Sequence, residues 1–532
     1  MEDAVVGTPI DRVPLYPGLL SGWNGPEDTE NPQNWSVHRR CLITASLCSL
    51  NVCYTLSSTT FSTLNTPVAE QYGVSTTAAS LATSLFALGA GGGSLLWGPL
   101  SERFGRRLPI FVGFSTFLLF HVSSAISTNF ATLLVSRFLR GVLGTAPVIV
   151  AGGILTDIWD PERRAAAVMT FTMATFMGLV HGPILGASVV AAHITWRWVV
   201  WITMIVSGIC LCLALTVLRE TYQPTILQKR ARRIRFRDRD WAVHAILDEQ
   251  QLSLKEVYRN YLVRPLGLLM RETILLLVSI YLAFVYSLLY VFFEAYPYSF
   301  SHVRKWQNMA LAALPLLSIA LGVCIGGSLV AWDTCKRYNR YVKQYSEQRR
   351  VSHPNSLLHN ELAEERLPPI IVGGIILSVG LFWFAATSNA SVLWLPQATA
   401  GIFLGCGIFM IFLPGLNYII DVYVNCVNSA VAANFSFRCL AAAVAPLVSP
   451  PMFRTMGVPW AMATMGFLSI VLVPVPIYFY RWGKKLRTVN LTPPSYRVHP
   501  ALRTNISLPS VPLELNNVEI EIPPPVWSSI GK

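Results

Sequence analysis

The chain contains long apolar segments that carry almost no charged residues. Residues 42–61, 81–100 and 133–155 are three of them. About 20 apolar residues in a helix cross the roughly 30 Å hydrocarbon core of a bilayer. A helix also bonds its own backbone groups, which a lipid environment requires. These segments therefore predict transmembrane helices. Only 13% of the 532 residues are charged, which is about half of the roughly 25% that is typical of soluble chains.

Such segments recur between residues 41 and 480 and fall into two groups of six. We therefore expect an all-α polytopic membrane protein with about twelve transmembrane helices in two six-helix bundles. The ends are rich in proline and polar groups, so we expect them to be disordered. The expected organisation is a cytoplasmic disordered N-terminus (1–40), an N-terminal bundle (41–217), a cytoplasmic basic central loop (218–266), a C-terminal bundle (267–487) with a cytoplasmic loop (333–367), and a cytoplasmic disordered tail (488–532).

Positive charge is concentrated on one side of the expected spans. If the N-terminus is cytoplasmic, the opposite loops hold only Arg304, Lys305 and Arg454 among the basic residues. Cytoplasmic loops of membrane proteins carry such an excess of lysine and arginine. We therefore expect both termini in the cytoplasm and the protein in the plasma membrane. The basic run 229–237 then lies beside anionic lipid, so we expect no nucleic-acid binding.

A charged motif follows the second expected span. It reads Gly-Pro-Leu-Ser-Glu-Arg-Phe-Gly-Arg-Arg over residues 98–107. The small residue allows two helices to approach closely, and the acid and the cations can form charge-assisted bonds across the cytoplasmic rim. The motif predicts a gate, although a basic loop that only obeys the orientation rule is the alternative. Its gating residues are expected to be Gly98, Glu102, Arg103, Gly105, Arg106 and Arg107.

Two arginines lie inside the fourth expected span, Arg137 and Arg140. A cation at the centre of a membrane helix costs at least about 2.5 kcal/mol, so both should face the bundle interior or a wet cavity. Arg140 has a second interpretation, as the partner of a structural pair.

The fifth expected span contains Gly178, Gly182, Pro183 and Gly186. Proline frees a backbone carbonyl and kinks the helix, and glycines permit close packing at the kink. An ordinary kinked helix is the alternative. His181 lies within this motif and could titrate, or it could be a packed polar residue.

Further polar residues lie on the later spans. The stripe Tyr286, Tyr290, Phe293 and Glu294 falls on one helical face and suits flat or cationic ligands; an aromatic belt at the membrane boundary is the alternative. Asn434 and Arg438 are four residues apart and should point together into a cavity. Asp157 and Asp421 lie near span ends, where they are gate residues or rim charges.

These motifs resemble the drug:proton antiporter group of the major facilitator superfamily, and in particular its fungal multidrug and polyamine exporter branch. The strings at 98–107, 137–141 and 178–186 carry the superfamily and antiporter resemblance, and the likeness runs from about residue 31 to residue 487. Glu102, Arg140 and Thr273 depart from the usual Asp, Gln and Pro. The strings that resemble the fungal branch are 219–224, 281–286, 293–297, 366–369, 417–423 and 432–438.

The resemblance implies two pseudo-symmetric bundles with a substrate site at the bilayer midplane between them. It implies a proton-coupled efflux transporter for amphipathic small molecules such as drugs or a fungal secondary metabolite. The implied proton-coupling candidates are Arg137, Asp157 and His181. The substrate-binding candidates are Arg140, Tyr286, Tyr290, Phe293, Glu294, Asn417, Asp421, Asn434 and Arg438.

Two other functional classes remain to be compared. A proton-coupled nutrient or polyamine transporter would share the fold, but the fifth-span motif favours export. A membrane enzyme would need a metal or nucleophile cluster, and the nine histidines form no His-x-x-His pattern. We therefore expect no enzyme activity, no metal and no cofactor beyond a proton gradient. The expected partners are a small-molecule substrate, protons and the lipid bilayer, and the protein should be monomeric. Deep arginines favour neutral or anionic substrates over polycations.

Overall fold

The computed structural model describes residues 19–20, 23, 25, 27–239, 241–249, 263–348, 362–423 and 426–490. Within these ranges the chain is almost entirely helical. The only sheet among them is a two-stranded parallel pair formed by Leu19–Leu20 and His244–Ala245.

Six membrane-spanning helices, spans 1 to 6, make up the first half. Span 1 continues into a 3-10 turn, Thr60–Thr63, and the short helices Asn65–Tyr72 and Thr76–Ala79 connect it to span 2. The helices of spans 1 to 6 are Val37–Thr59 (span 1), Leu81–Phe104 (2), Arg107–Ala125 (3), Phe130–Gly144 with Ala146–Ile158 (4), Pro161–Ala191 (5) and Arg197–Val217 (6).

The second half repeats this plan after a helix, Arg264–Arg271. Span 7 ends in a π-helical turn, Ser299–Val303, and a 3-10 turn, Ala363–Arg366, precedes span 9. The helices of this half are Thr273–Tyr298 (span 7), Met309–Ala313 and Leu317–Asp333 (8), Pro368–Thr387 (9), Trp394–Val422 (10), Val427–Leu472 (11 and part of 12) and Pro474–Asn490. Span 8 continues beyond Asp333 through the turn Thr334–Tyr338 into the helix Asn339–Gln348.

The helix Val427–Leu472 is two spans rather than one. Its 46 residues are interrupted at Gly457, where φ is 73°, a conformation that glycine adopts without steric cost. The described residues contain eleven helical stretches that are long and apolar enough to cross a membrane, and the last, Val427–Leu486, contains this break. Counting both sides of it gives twelve passes, with span 11 at 427–456 and span 12 beginning at 458.

Equivalent glycines bring equivalent spans together in the two halves. A Cβ added at Gly141 of span 4 would overlap the carbonyl of Phe86 in span 2, and one added at Gly405 of span 10 would overlap the carbonyl of Ile319 in span 8. The pair 8 and 10 therefore repeats the pair 2 and 4, which agrees with two pseudo-symmetric bundles.

The N-terminal segment and the central loop are partly ordered together. The central loop contains the helix Gln223–Asp238 and the strand His244–Ala245, which pairs with Leu19–Leu20. Arg230 donates to Asp28 over 2.8 Å. The prediction of disorder is therefore wrong for the described residues between 19 and 40. The tail is helical up to Asn490, and the rest of the predicted disordered tail lies outside the described residues.

Candidate functional site

We call the side of the molecule where span 2 ends and span 3 begins the basic face, and the other side the opposite face. On the basic face the motif turn is held by Glu220, just after span 6. Glu220 accepts from the backbone N–H groups of Arg106 over 2.8 Å and Arg107 over 3.3 Å. These N–H groups lie at the N-terminus of span 3. Because a helix N-terminus favours an anion, the carboxylate of Glu220 is well placed there. Gly105, at φ 84°, leaves no room for a Cβ beside this carboxylate.

Arg106 connects the turn to the end of span 4. Its Nε lies 3.5 Å from Asp157 Oδ2, and its guanidinium lies 4.6 Å from the centre of the Tyr222 ring. Burial raises the pKa of the Tyr222 hydroxyl. Thr221 Oγ1 donates to the same oxygen of Asp157 over 3.2 Å. Asp157 is therefore a rim ion-pair partner in this structure, and its predicted role in proton coupling stays a prediction.

The other motif residues lie differently from the expectation. Gly98 has open space where a Cβ would be, so close helix packing is not its role. Arg103 and Arg107 are both exposed. The guanidinium of Arg103 lies 5.4 Å from the centre of the Phe104 ring, and that of Arg107 lies 5.3 Å from the centre of the Phe111 ring. Among the described residues, neither cation forms a bond across the rim in this conformation, and their predicted gate role stays a prediction.

Glu102 makes the contact between the halves on the basic face. Its carboxylate accepts a hydrogen bond from the side-chain amide of Asn428, at the start of span 11. Further in, Ser94 Oγ of span 2 lies 2.9 Å from Ser436 Oγ of span 11. The predicted gate motif thus touches the second half through its acid.

Arg137 is completely buried, and each of its three guanidinium nitrogens donates a hydrogen bond within the first half. Nε donates to the carbonyl of Ala82, and the two terminal nitrogens donate to the carbonyls of Ser57 and Ser58, over 2.8–3.0 Å. The guanidinium lies 4.3 Å from the centre of the Phe61 ring. Arg137 therefore fastens span 4 to spans 1 and 2.

Arg140 is also buried, and it belongs to a polar cluster inside the first half. It contacts Ser57 Oγ, Ser124 Oγ and His121 Nε2. His121 Nδ1 lies 2.9 Å from the carbonyl of Phe117, which assigns the proton to Nδ1 and leaves Nε2 as the acceptor. Arg140 therefore has partners within the first half in this structure, and its predicted role in the substrate site stays a prediction.

The glycine motif of span 5 packs against a threonine stripe of span 1. A Cβ at Gly178, Gly182 or Gly186 would overlap the Oγ1 of one of these threonines. This contact is the close helix approach that the sequence predicted. The threonines that face the three glycines are Thr55, Thr59 and Thr63, in that order.

Pro183 gives the hydroxyl group of Thr59 a specific hydrogen-bond partner. Proline has no N–H, so it cannot donate to the carbonyl of Leu179 one turn earlier. Thr59 Oγ1 donates to that carbonyl over 2.8 Å instead. His181 of the same motif is exposed, with Nδ1 2.7 Å from the carbonyl of Met177. The prediction of a packed polar histidine is therefore wrong.

Arg438 occupies the middle of span 11, where the halves meet. About 15 Å of helix separates it from Asn428, and a similar length from Ser449. It is 5% exposed. Its guanidinium lies 5.0 Å from the ring centre of Tyr286 and 4.5 Å from that of Phe412.

Two of the guanidinium nitrogens of Arg438, Nε and Nη1, are buried with no hydrogen-bond partner among the described residues. The nearby ring of Phe412 packs edge-on against Phe176 of span 5, with ring centres 5.1 Å apart. The structure therefore places unused donors and aromatic faces together at the junction of the halves.

The other candidates of span 7 and span 11 surround this position. Tyr290 lies between Tyr286 and Phe293, with ring centres 5.6 and 5.7 Å away. Asn434 is fully buried and donates to Ser279 Oγ over 3.0 Å. Asn434 and Arg438 thus both contact span 7, and their predicted place in a cavity stays a prediction.

Two candidates of span 10 lie toward the basic face. Asp421 accepts from Arg366 Nε over 2.5 Å, and Arg366 covers the Tyr338 ring at 4.0 Å. Asp421 is thus the carboxylate of a rim ion pair in this structure, and its predicted role in substrate binding stays a prediction. Asn417, one turn earlier, is half-buried.

Glu294 lies where span 7 approaches the opposite face. It is 7% exposed. Ser449 Oγ donates to Oε2 over 2.7 Å, and Asn65 Nδ2 lies 3.5 Å from Oε1. Asn65 follows span 1, so Glu294 joins the halves. It belongs to a buried contact rather than an aromatic belt facing lipid.

Sequence reasoning missed several partners in this site. Glu220 stood in a motif that the sequence singled out, but nothing indicated that it binds the turn at Gly105. Asn428, Ser449 and Asn65 are common polar residues whose meaning depends on a partner in the other half. Within the described ranges, no group of three or more His, Cys, Asp and Glu side chains could hold a metal ion.

The Major Facilitator Superfamily matches residues 47–446 of the sequence. The chain belongs to this superfamily. Among the relatives of this major facilitator protein is the citrinin biosynthesis cluster MFS transporter of Monascus ruber, 40% identical over 93% of this chain and 96% of the relative. The ascochitine biosynthesis cluster MFS transporter of Didymella fabae is 40% identical, with 90% of each chain covered. The cercosporin MFS transporter of Cercospora nicotianae is 36% identical, with 88% of each covered.

Solved structures share the fold of this major facilitator protein. A partially occluded inward-open structure of the xylose transporter XylE from E. coli gives a TM-score of 0.58, covering 83% of this chain and 99% of XylE. The human organic anion transporter MFSD10 gives 0.56, covering 83% and 100%. Both are 15% identical to this chain, so the likeness concerns the fold alone.

Proposed function

We propose that this protein is a proton-coupled antiporter that exports an amphipathic small molecule, such as a fungal secondary metabolite or a drug. The names of the relatives support a metabolite as cargo, since they refer to citrinin, ascochitine and cercosporin. The match extends over most of each chain.

The observation that carries the proposal is the surroundings of Arg438. Tyr286 and Phe412 offer flat apolar surfaces at the junction of the halves, and the guanidinium offers donors that no described residue uses. Arginine N–H groups form strong hydrogen bonds to carboxylate and carbonyl oxygens. A planar molecule with one oxygen-rich end satisfies both features.

The charge around this position favours neutral or anionic cargo. Arg137 and Arg438 are both buried, and neither forms an ion pair among the described residues. At an effective dielectric of about 20, a like charge some 4 Å away costs about 4 kcal/mol. A cation beside Arg438 would meet this repulsion, whereas an anion would be attracted.

Export and proton coupling rest on two further features. The excess of basic residues supports a cytoplasmic location for the basic face, and the span 5 motif resembles that of drug:proton antiporters. The sequence has no Gly-x-x-x-x-Gly-Lys-Ser/Thr string, which would bind a nucleotide, so an ion gradient is the proposed energy source.

A transport assay in proteoliposomes with an imposed pH gradient tests the proposal. The protein is reconstituted with the basic face outward, and citrinin, a neutral aromatic ester and spermidine are offered outside. An acidic lumen should drive uptake of citrinin or the ester, because protons leave as cargo enters. Uptake driven by acid outside would instead support a nutrient importer, and proton-dependent spermidine uptake would support a polyamine transporter. Equal uptake with and without a gradient for all three probes would contradict proton coupling.

A further inference from the structure

Glu294 is a buried acid whose contacts come from both halves and carry no charge. Ser449 donates to one carboxyl oxygen over 2.7 Å, and the amide of Asn65 lies 3.5 Å from the other. No ion pair reaches Glu294 within the part of the chain that the structure describes. Burying an ionised carboxylate with only neutral partners costs several kcal/mol more than burying the neutral acid.

The Asn65 amide has an unused acceptor at this contact. Its Oδ1 is buried and has no hydrogen-bond partner among the described residues. The oxygen and nitrogen of an asparagine amide exchange places by a half-turn of the side chain. After that turn Oδ1 faces Glu294, and a protonated carboxyl would donate its hydrogen to it. The neutral acid thus satisfies an acceptor that the carboxylate leaves unpaired, in exchange for the hydrogen bond that Nδ2 donates to the carbonyl of Ser62 over 3.3 Å before the turn.

We infer that Glu294 is a proton-binding site and that its protonation permits the two halves to close on the opposite face. The inference rests on the proposed proton-coupled function. A proton from that side neutralises Glu294, the carboxyl bridges Ser449 and Asn65, and the halves come together. Loss of the proton leaves a carboxylate that water solvates better than this contact does, and the face opens.

Other titratable or charged groups lie near this contact. On span 7, Tyr290 is one turn before Glu294 and lies 3.4 Å from Ser58 of span 1. Tyr298 is one turn after it and stacks on His302, with ring centres 4.6 Å apart. On span 11, Arg454 donates to Thr76 over 3.1 Å. Glu70, on the helix that begins at Asn65, is exposed.

The test measures closure directly and needs no substrate. Nitroxide labels are placed at Thr128 and Ala390, two exposed positions in loops of the first and second halves on the opposite face. The exposed native cysteines Cys41, Cys212, Cys324 and Cys335 are first replaced by serine. Distances between the labels are then recorded in lipid nanodiscs from acidic to alkaline pH. We compare the protein that keeps Glu294 with three variants: Glu294→Gln, Glu294→Asp and the charge-matched control Glu70→Gln.

As pH rises, we expect the distances between the two labels in the wild type to shift from a shorter population, with the opposite face closed, to a longer one, with this face open. Glu294→Gln should keep the shorter population at every pH, because its amide can accept from Ser449 and donate to Asn65. Glu294→Asp and Glu70→Gln should both keep a pH-dependent shift. An unchanged shift in Glu294→Gln, or no shift in the wild type, would overturn the inference.

A transport measurement separates this inference from the proposed function. With citrinin, the neutral aromatic ester and spermidine as probes, failure of the wild type to use a pH gradient would count against proton coupling, whatever the distances show. A gradient-driven wild type whose Glu294→Gln variant is driven equally well would overturn the role of Glu294 alone. Loss of gradient-driven uptake by Glu294→Gln, while the wild type and Glu70→Gln remain gradient-driven, is the expected result.

Discussion

At the scale of single residues, the buried arginines of this protein fall into two kinds. Arg137 spends three donors on backbone carbonyls of the first half. Arg438 keeps donors that no described residue accepts. The first kind holds helices together, and the second is available to a ligand. Their burial is similar, so burial alone does not distinguish a structural cation from a binding one.

Replacement of Arg137 by lysine should damage the protein although it keeps the charge. One ammonium group cannot reach the carbonyls of Ala82, Ser57 and Ser58 in the planar pattern that the guanidinium serves. We expect a loss of about 2 kcal/mol or more of stability, measured by thermal unfolding in detergent, together with impaired transport. If Arg137→Gln transports with normal pH dependence, its predicted role in coupling is wrong.

Replacement of Arg438 by glutamine should weaken binding of anionic cargo selectively. A buried hydrogen bond between charged groups contributes about 1.5–3 kcal/mol, so the apparent KM for an anionic substrate should rise about tenfold or more. A neutral analogue should be affected much less. Arg438→Lys, which keeps the charge, should fall between the two. Equal loss for the anionic and neutral compounds would indicate a packing role instead.

At the scale of elements, the contact between spans 1 and 5 is the best-determined part of the candidate machinery. Glycines of span 5 face threonines of span 1, and Thr59 replaces the donor that Pro183 lacks. Because the threonine hydroxyl bonds across the interface, the packing and the polar contact depend on each other.

A methyl group added at Gly182 should separate these spans. Its Cβ would overlap Thr59 Oγ1 and approach the carbonyl of Leu56 at 2.6 Å, and overpacking of this kind costs about 1–3 kcal/mol. Gly182→Ala should lower the melting temperature and the transport rate. Gly208→Ala is the control, because a Cβ at Gly208 of span 6 meets open space. Similar losses in both variants would show that any glycine replacement in a span is harmful.

The sequence predicted these elements well because lipid imposes strict rules on them. Apolar length identifies the spans, and small residues beside a proline identify a close helix contact. The partners of Arg140 and Asp421 could not be predicted in this way. His121 contacts Arg140, and Arg366 contacts Asp421, only once the helices have packed. The spacing of residues along one helix does not indicate which face of another helix it will contact. The sequence therefore leaves both interpretations of Arg140 open, the cavity and a structural pair.

At the scale of the whole molecule, the halves touch on both sides of Arg438. Asn428 reaches Glu102 on the basic face, and Asn65 reaches Glu294 on the opposite face. The structure therefore has the halves in contact at both ends of the junction. Access to Arg438 from either side requires one set of contacts to separate.

Asn428→Asp should open the basic face, because two carboxylates would then replace an amide–carboxylate hydrogen bond. Cys439 is a native reporter of this opening. It is 2% exposed and its Cβ lies 3.3 Å from the position of a Cβ on Gly91 of span 2. Maleimide labelling of Cys439, quantified by peptide mass spectrometry, should become severalfold faster than in the wild type. Asn428→Gln is the control, since it keeps a donor. Unchanged labelling in Asn428→Asp would mean that the Glu102 contact does not hold this face closed.

The pairing of the N-terminal segment with the central loop has a consequence for biosynthesis. Asp28 and Arg230 are 202 residues apart in the chain. At about 5–20 residues per second, a ribosome needs roughly 10–40 s to synthesise that interval. During this time the first six helices emerge and enter the bilayer while the strand Leu19–Leu20 has no partner to pair with. The strand pair therefore cannot form until the first six helices and the central loop as far as Ala245 have been synthesised.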